Sequence, residues 1–227
     1  MQDRGQGRRG APTRVWATYL LVFYAMWTLV ELLVGPALVG WLGADAGALA
    51  HIIVVKTLIW VAPAVVLIAK FAPTLPASPR DMLTSPVKWA PTLLVFAVFT
   101  VWVALTLWVD RPAEGFRLAF PLIGIVRCLF VGLQEELVFR GWLANAMPNW
   151  GTWKGYLANG VLFALIHVPA WIENPHRMEG FAVIQAPAGL VFFGALLAWL
   201  FAKSRNIVVP IVLHSWYDLL LVAVHEA

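Results

Sequence analysis

The apolar positions of this chain fall in long unbroken runs, without the residue-by-residue alternation of barrel strands. Runs near residues 16–41, 52–72, 88–109, 119–146, 154–171, 187–203 and 207–225 come close to the roughly 20 helical residues that cross a bilayer. The breaks between them are short and rich in turn formers: Leu42 to Ala50, the stretch holding Pro73, Pro76, Pro79 and Pro86, Asp110 to Arg117, Pro148 to Gly151, Glu173 to Gly180, and Ser204 to Asn206. None is long enough for a second soluble domain. In lipid every backbone polar group must be satisfied within its own segment, so the pattern predicts an all-α polytopic transmembrane helical bundle of about seven spans. Residues 1–15, with their glycines and arginines, are expected to be a disordered cytoplasmic start, and 16–227 a single membrane domain.

Composition agrees and narrows the class. Apolar residues make up 61% of the 227 and charged residues 12%, against about 25% charged in soluble domains; mean hydropathy is +0.79. The basic residues are unevenly placed. Arg4, Arg8, Arg9, Arg14, Lys70, Arg80, Lys88, Lys154, Lys203 and Arg205 fall on one side if the N-terminus is inside, and Arg111, Arg117 and Arg177 on the other. Ten against three predicts an N-in, C-out chain. The net charge of +4 is then explained by inside loops meeting anionic lipid, which removes any reason to invoke nucleic acid. The first apolar run is too long for a signal-peptide core and reads as a retained helix. The single cysteine, Cys128, rules out an internal disulfide.

Against this background a few ionisable residues stand out, because a charge at membrane depth is a functional-site hypothesis by default. Glu135 and Glu136 are adjacent on one predicted helix, so their side chains point about 100° apart. Arg140 follows Glu136 by one turn in the favourable order, which makes Glu136 its structural partner and leaves Glu135 free to act as a general base on water. Phe163 and His167 are one turn apart on the next span, and His214 and Asp218 one turn apart on the last. Three helices can converge these groups on one cavity. The competing reading is architectural: both acids neutralise Arg140 and Arg127 in a packed bundle. Glu31 and Lys56 are expected to pair with each other, Lys56 alternatively reaching for the interface. Trp142, Trp150, Trp153 and Trp171 read as interface belts. Pro169 is expected to end or kink the helix that carries His167.

The ordered set Glu135-Glu136-x-x-x-Arg140, Phe163-x-x-x-His167 and His214-x-x-x-Asp218 resembles the three motifs of the CPBP family, the intramembrane CAAX-protease and bacteriocin-processing proteins also called the Abi family. The resemblance covers residues 119–225, the expected catalytic half. It implies a glutamate-dependent membrane endopeptidase acting on a peptide or membrane-protein substrate, with Glu135 and His167 activating water and with His214 and Asp218 at the oxyanion. The family often has asparagine where Asp218 stands, and an ionised aspartate donates no hydrogen bond; Asp218 either serves the oxyanion or orients His214. The family label of metalloprotease implies zinc, for which His167, His214 and Glu135 are the candidate ligands. The H-E-x-x-H signature is absent, and a metal-free glutamate base is the other possibility. By analogy with the family the chain reads as a bacterial cell-membrane protein. Two other functions compete: a non-catalytic immunity or scaffold protein, and a proton-coupled transporter, which is disfavoured by the lack of an inverted repeat.

Overall fold

The computed structural model describes residues 10–109, 122–180 and 182–225, and among these the architecture is entirely helical. Arg4, Arg8, Arg9, the Asp110 to Arg117 turn and residues 119–121 of the fourth expected span lie outside the described residues. Helix α1 (Thr13–Leu42) and helix α2 (Ala44–Phe71) are joined at Gly43, whose φ of +84° reverses the chain in a single residue. The expected break over Leu42 to Ala50 is therefore much shorter. The Ala-rich segment after Gly43 is a strong helix former, and Gly47 lets it lie against the backbone of Leu38 and Val39. Ahead of residue 16, Gly10 and Ala11 donate to the carbonyls of Thr74 and Ala146.

A short helix α3 (Pro79–Thr84) occupies the proline-rich break. Ser78 and Asp81 cap it reciprocally, and Pro79 sits in its first turn where a missing N–H costs nothing. Helix α4 (Trp89–Val109) follows, then helix α5, which runs without a break through Leu122–Glu136 and Leu137–Ala144. Helix α6 (Trp153–Glu173) is interrupted at Ile166 and His167 before it resumes with Pro169 in its first turn, as the proline predicts. Helix α7 (Ala182–Ser204) starts five residues earlier than expected and carries Pro187 inside it. Helix α8 (Val208–His225) ends the chain.

Among the described residues five helices, α1, α2, α4, α6 and α7, are long and apolar enough to cross a membrane. Many of their large side chains point outward, among them Leu21, Leu33, Leu58, Val66, Leu94 and Leu105, as lipid-facing surfaces require. The protein is a multi-pass integral membrane protein. Its interior is an aromatic cluster in which Phe23 of α1, Trp60 of α2 and Phe139 of α5 meet edge to face. Trp142 belongs to this interior, against Tyr19 and Phe71, and not to an interface belt.

Small residues set the close approaches that build the centre. Gly160 of α6 and Gly194 of α7 face each other, and a Cβ on Gly194 would come within 2.9 Å of Gly160 Cα and of Phe163 Cβ. Gly132 of α5 has no room for a Cβ either, since it would collide with Ser215 Oγ and stand 3.0 Å from Ser215 N of α8. That contact lies beside His214 on one helix and three to four residues before Glu135 and Glu136 on the other. The glycine is thus what lets α8 bring its histidine to the acids.

Candidate active site

The three predicted motifs do converge. Glu136 is fully buried, and its Oε1 accepts from Arg140 at 2.8 Å and from His214 Nδ1 at 2.7 Å. Arg140, also fully buried, donates its other terminal nitrogen to the Gly194 carbonyl at 2.8 Å, tying α5 to α7. Its guanidinium lies 4.8 Å from the centre of the Phe163 ring. The same ring meets both imidazoles edge on, His167 at 5.5 Å and His214 at 5.6 Å, so the second motif forms a wall between the two histidines. Phe193 of α7 closes the far side of His214 at 5.3 Å.

Glu135 points elsewhere, as adjacent positions on a helix must. Its Oε1 accepts from Lys56 Nζ at 2.6 Å, and its Oε2 lies 3.8 Å from His214 Nε2. The expected Glu31–Lys56 pair does not form as a direct contact: Glu31 faces His51 at 3.6 Å, and Lys56 crosses to Glu135. The helix spacing could not show this, because the partner comes from 79 residues away. Each of the two buried acids therefore has its own cation, which offsets much of the cost of burying charge.

His167 sits where α6 breaks, with Nδ1 3.3 Å from the Phe163 carbonyl and Trp171 stacked beside its ring. The break is braced from α1, where Trp27 Nε1 donates to the Ile166 carbonyl at 2.9 Å and Tyr24 donates to the Leu162 carbonyl at 2.5 Å. His167 and Glu135 line a common cavity of about 390 Å3, together with Trp27, Glu31, His51, Lys56 and Arg127. The first two helices, outside the three motifs, thus build half of its wall. Sequence reasoning gave Lys56 a place only as the partner of Glu31 or at the interface, and passed over His51; the signal was the isolated lysine in an apolar span.

Asp218 does not orient His214 by a direct hydrogen bond. Its Oδ2 stands 3.6 Å from Nε2, beyond bonding range, while Glu136 holds the ring from the Nδ1 side. Among the described residues no three His, Cys, Asp or Glu side chains are disposed to hold a metal ion, and one oxygen of Glu135 is taken by an ammonium.

A bundle of apolar helices that buries paired acids and histidines beside a cavity defines an integral membrane protein with an enzyme-like polar centre. The model of the family described as type II CAAX prenyl endopeptidase, Rce1-like, matches residues 117–220, and over that stretch, which carries all three motifs, the chain is similar to this protease family. Curated proteins and solved structures gave no match to the chain.

Proposed function

We propose that the protein is an intramembrane endopeptidase that hydrolyses a peptide bond in a peptide or membrane-protein substrate, with Glu135 as the base that activates water. The observation that carries this reading is that Glu135 and His167, from different helices, line one cavity within a membrane-embedded bundle. In the proposed reaction a water held between them gives a proton to Glu135 Oε2 as its oxygen bonds to the scissile carbonyl carbon. The carbonyl electron pair moves onto oxygen. The tetrahedral intermediate then collapses, the C–N bond breaks, and the proton passes to the leaving amine.

The other motif residues take supporting roles in this scheme. Arg140 and Glu136 hold His214 by its Nδ1, which fixes the direction of Nε2 towards Glu135. When protonated, the ring carries a second N–H on Nε2, and this is the donor the scheme assigns to the oxyanion. Asp218 is acceptor-only when ionised, so it borders this donor and does not replace it. With Lys56 on Glu135, the scheme routes no step through zinc.

Five helices meet the length of a span, and α5 and α8 complete a seven-span, N-in, C-out reading in which the polar centre explains why α5 is less apolar. A bacterial cell membrane is the setting this reading assigns. The test is cleavage of a membrane-peptide library by purified wild type and Glu135→Gln, followed by mass spectrometry, with both proteins shown to be folded. Cleavage by the wild type that vanishes in the variant is expected. Cleavage that survives Glu135→Gln would remove Glu135 from the role.

A further inference from the structure

Lys56 lies outside the segment that matches the protease family, yet it makes the shortest contact to Glu135. It is 5% exposed, and its ammonium lies 4.2 Å from the centre of the Trp60 ring and 5.6 Å from that of Trp27. Trp60 is itself completely buried, against Phe23, Trp27 and Phe139. The lysine therefore has little freedom to swing away. Its height on α2 is fixed as well, because Gln134, the neighbour of Glu135, donates to the Ile52 carbonyl and to Thr57 Oγ1, both at 2.8 Å. These two acceptors lie on either side of Lys56 in the sequence. Three polar contacts thus pin α2 to α5 at the level of the proposed base.

We infer that Lys56 is a positioning residue for the hydrolysis: it clamps Glu135 Oε1, so that Oε2 alone faces the water. This rests on the function proposed above. A carboxylate free to rotate about its last bond presents either oxygen in any direction, and a base that is displaced by about 1 Å loses roughly 100-fold in rate. The clamp removes that freedom through a charge-assisted bond whose donor is caged by two indoles. The two N-terminal helices are, on this inference, part of the catalytic apparatus and more than an anchor for the family domain.

The test uses the full-length protein in lipid nanodiscs, with glutamate carboxyls labelled with carbon-13. Infrared difference spectra against Glu135→Gln isolate the Glu135 carboxylate band, a readout that needs no substrate. The band is expected to move in Lys56→Met and to return towards its original position in Lys56→Arg. In the same samples kcat for a cleaved peptide is expected to fall about 100-fold in Lys56→Met with KM nearly unchanged. Propylammonium added to Lys56→Ala is expected to restore part of the rate, which a purely structural lysine would not allow. A band that stays in place in Lys56→Met overturns the clamp, and a loss confined to KM overturns its role in the chemical step. If Lys56→Met does not fold, the same band in Lys56→Gln decides. Persistent cleavage by Glu135→Gln, in contrast, would strike at the base assignment, while the position of the infrared band would still decide whether the clamp exists.

Discussion

His214 Nδ1 and Arg140 both bond the same oxygen of Glu136, at 2.7 and 2.8 Å. One carboxylate oxygen therefore joins the last helix to α5, and through Arg140 and the Gly194 carbonyl to α7. The two adjacent glutamates divide the work: Glu136 holds three helices together, while Glu135 faces the cavity. This division explains why neighbouring acids in a membrane do not simply share a proton or a partner.

Replacing Glu136 by alanine leaves the fully buried Arg140 without its counter-ion. Breaking a buried pair by removing one partner costs about 3–5 kcal/mol. A marked drop in melting temperature in detergent is expected, and Glu136→Ala combined with Arg140→Met should recover a large part of it. A single variant as stable as the wild type would show that the carboxylate is not the hub of the bundle.

His167 has a different signature. It lines the cavity, and beside its ring contacts with Phe163 and Trp171 its side chain has one long polar contact, to the Phe163 carbonyl at 3.3 Å, so its removal breaks little hydrogen bonding. His167→Ala is expected to lower kcat by about 100- to 10,000-fold, the usual worth of a proton-transfer group, with little change in melting temperature. Equal losses of stability and activity would instead mark it as a packing residue.

Five of the expected spans and the convergence of the motifs were legible because membrane burial and the helical repeat act locally. Runs of apolar residues reveal spans, and i, i+4 pairs such as Glu136 with Arg140 stay together whatever the tertiary arrangement. What remained hidden depended on contacts between distant segments. Lys56 is much closer in sequence to Glu31 than to Glu135, and only the packing of α2 on α5 selects the distant acid. His214 was paired with Asp218 on its own helix, but the closer approach of α8 at Gly132 gives it to Glu136. The turn at Gly43 was hidden for a simpler reason. A glycine that reverses the chain in one residue looks, in the sequence, like one more member of a small-residue loop.

Because Asp218 Oδ2 stands 3.6 Å from His214 and Glu136 already fixes the ring, Asp218→Asn should keep cleavage within about tenfold of the wild type, short of the roughly 100-fold or larger loss expected of a proton-transfer residue. Steady-state kinetics on any cleaved peptide will check this. A loss as deep as that of Glu135→Gln would place the aspartate in the reaction itself.

The cap of α3 predicts a pH dependence of its own. The Ser78 backbone N–H, helped by the Ser78 hydroxyl and Arg205 and opposed by modest burial, holds the Asp81 carboxyl below its ordinary value. A carboxyl depressed in the folded state contributes stability that is complete above its unfolded pKa, about 3.9, and is lost as the pH falls further, through the folded value. Amide exchange over α3 should therefore accelerate below about pH 4 in the wild type. In Asp81→Asn the exchange should be faster at neutral pH and should lack that acid step.

Gly132 offers the sharpest check on how the centre is assembled. A methyl group there would collide with Ser215 Oγ and press on Ser215 N at 3.0 Å and the Ile211 carbonyl at 3.3 Å. Overpacking of this kind costs about 1–3 kcal/mol, and the strain is relieved by moving α8 away from α5, which lengthens the 2.7 Å contact between His214 and Glu136. Gly132→Ala should consequently lose cleavage out of proportion to its loss of stability. Adding Ser215→Gly removes the hydroxyl but not the backbone contacts, so it should restore activity only in part. Kinetics and thermal unfolding of the two single variants and the double variant will show this as a non-additive cycle. Strict additivity would mean that the two residues do not meet, and that something other than Gly132 brings His214 to the acids.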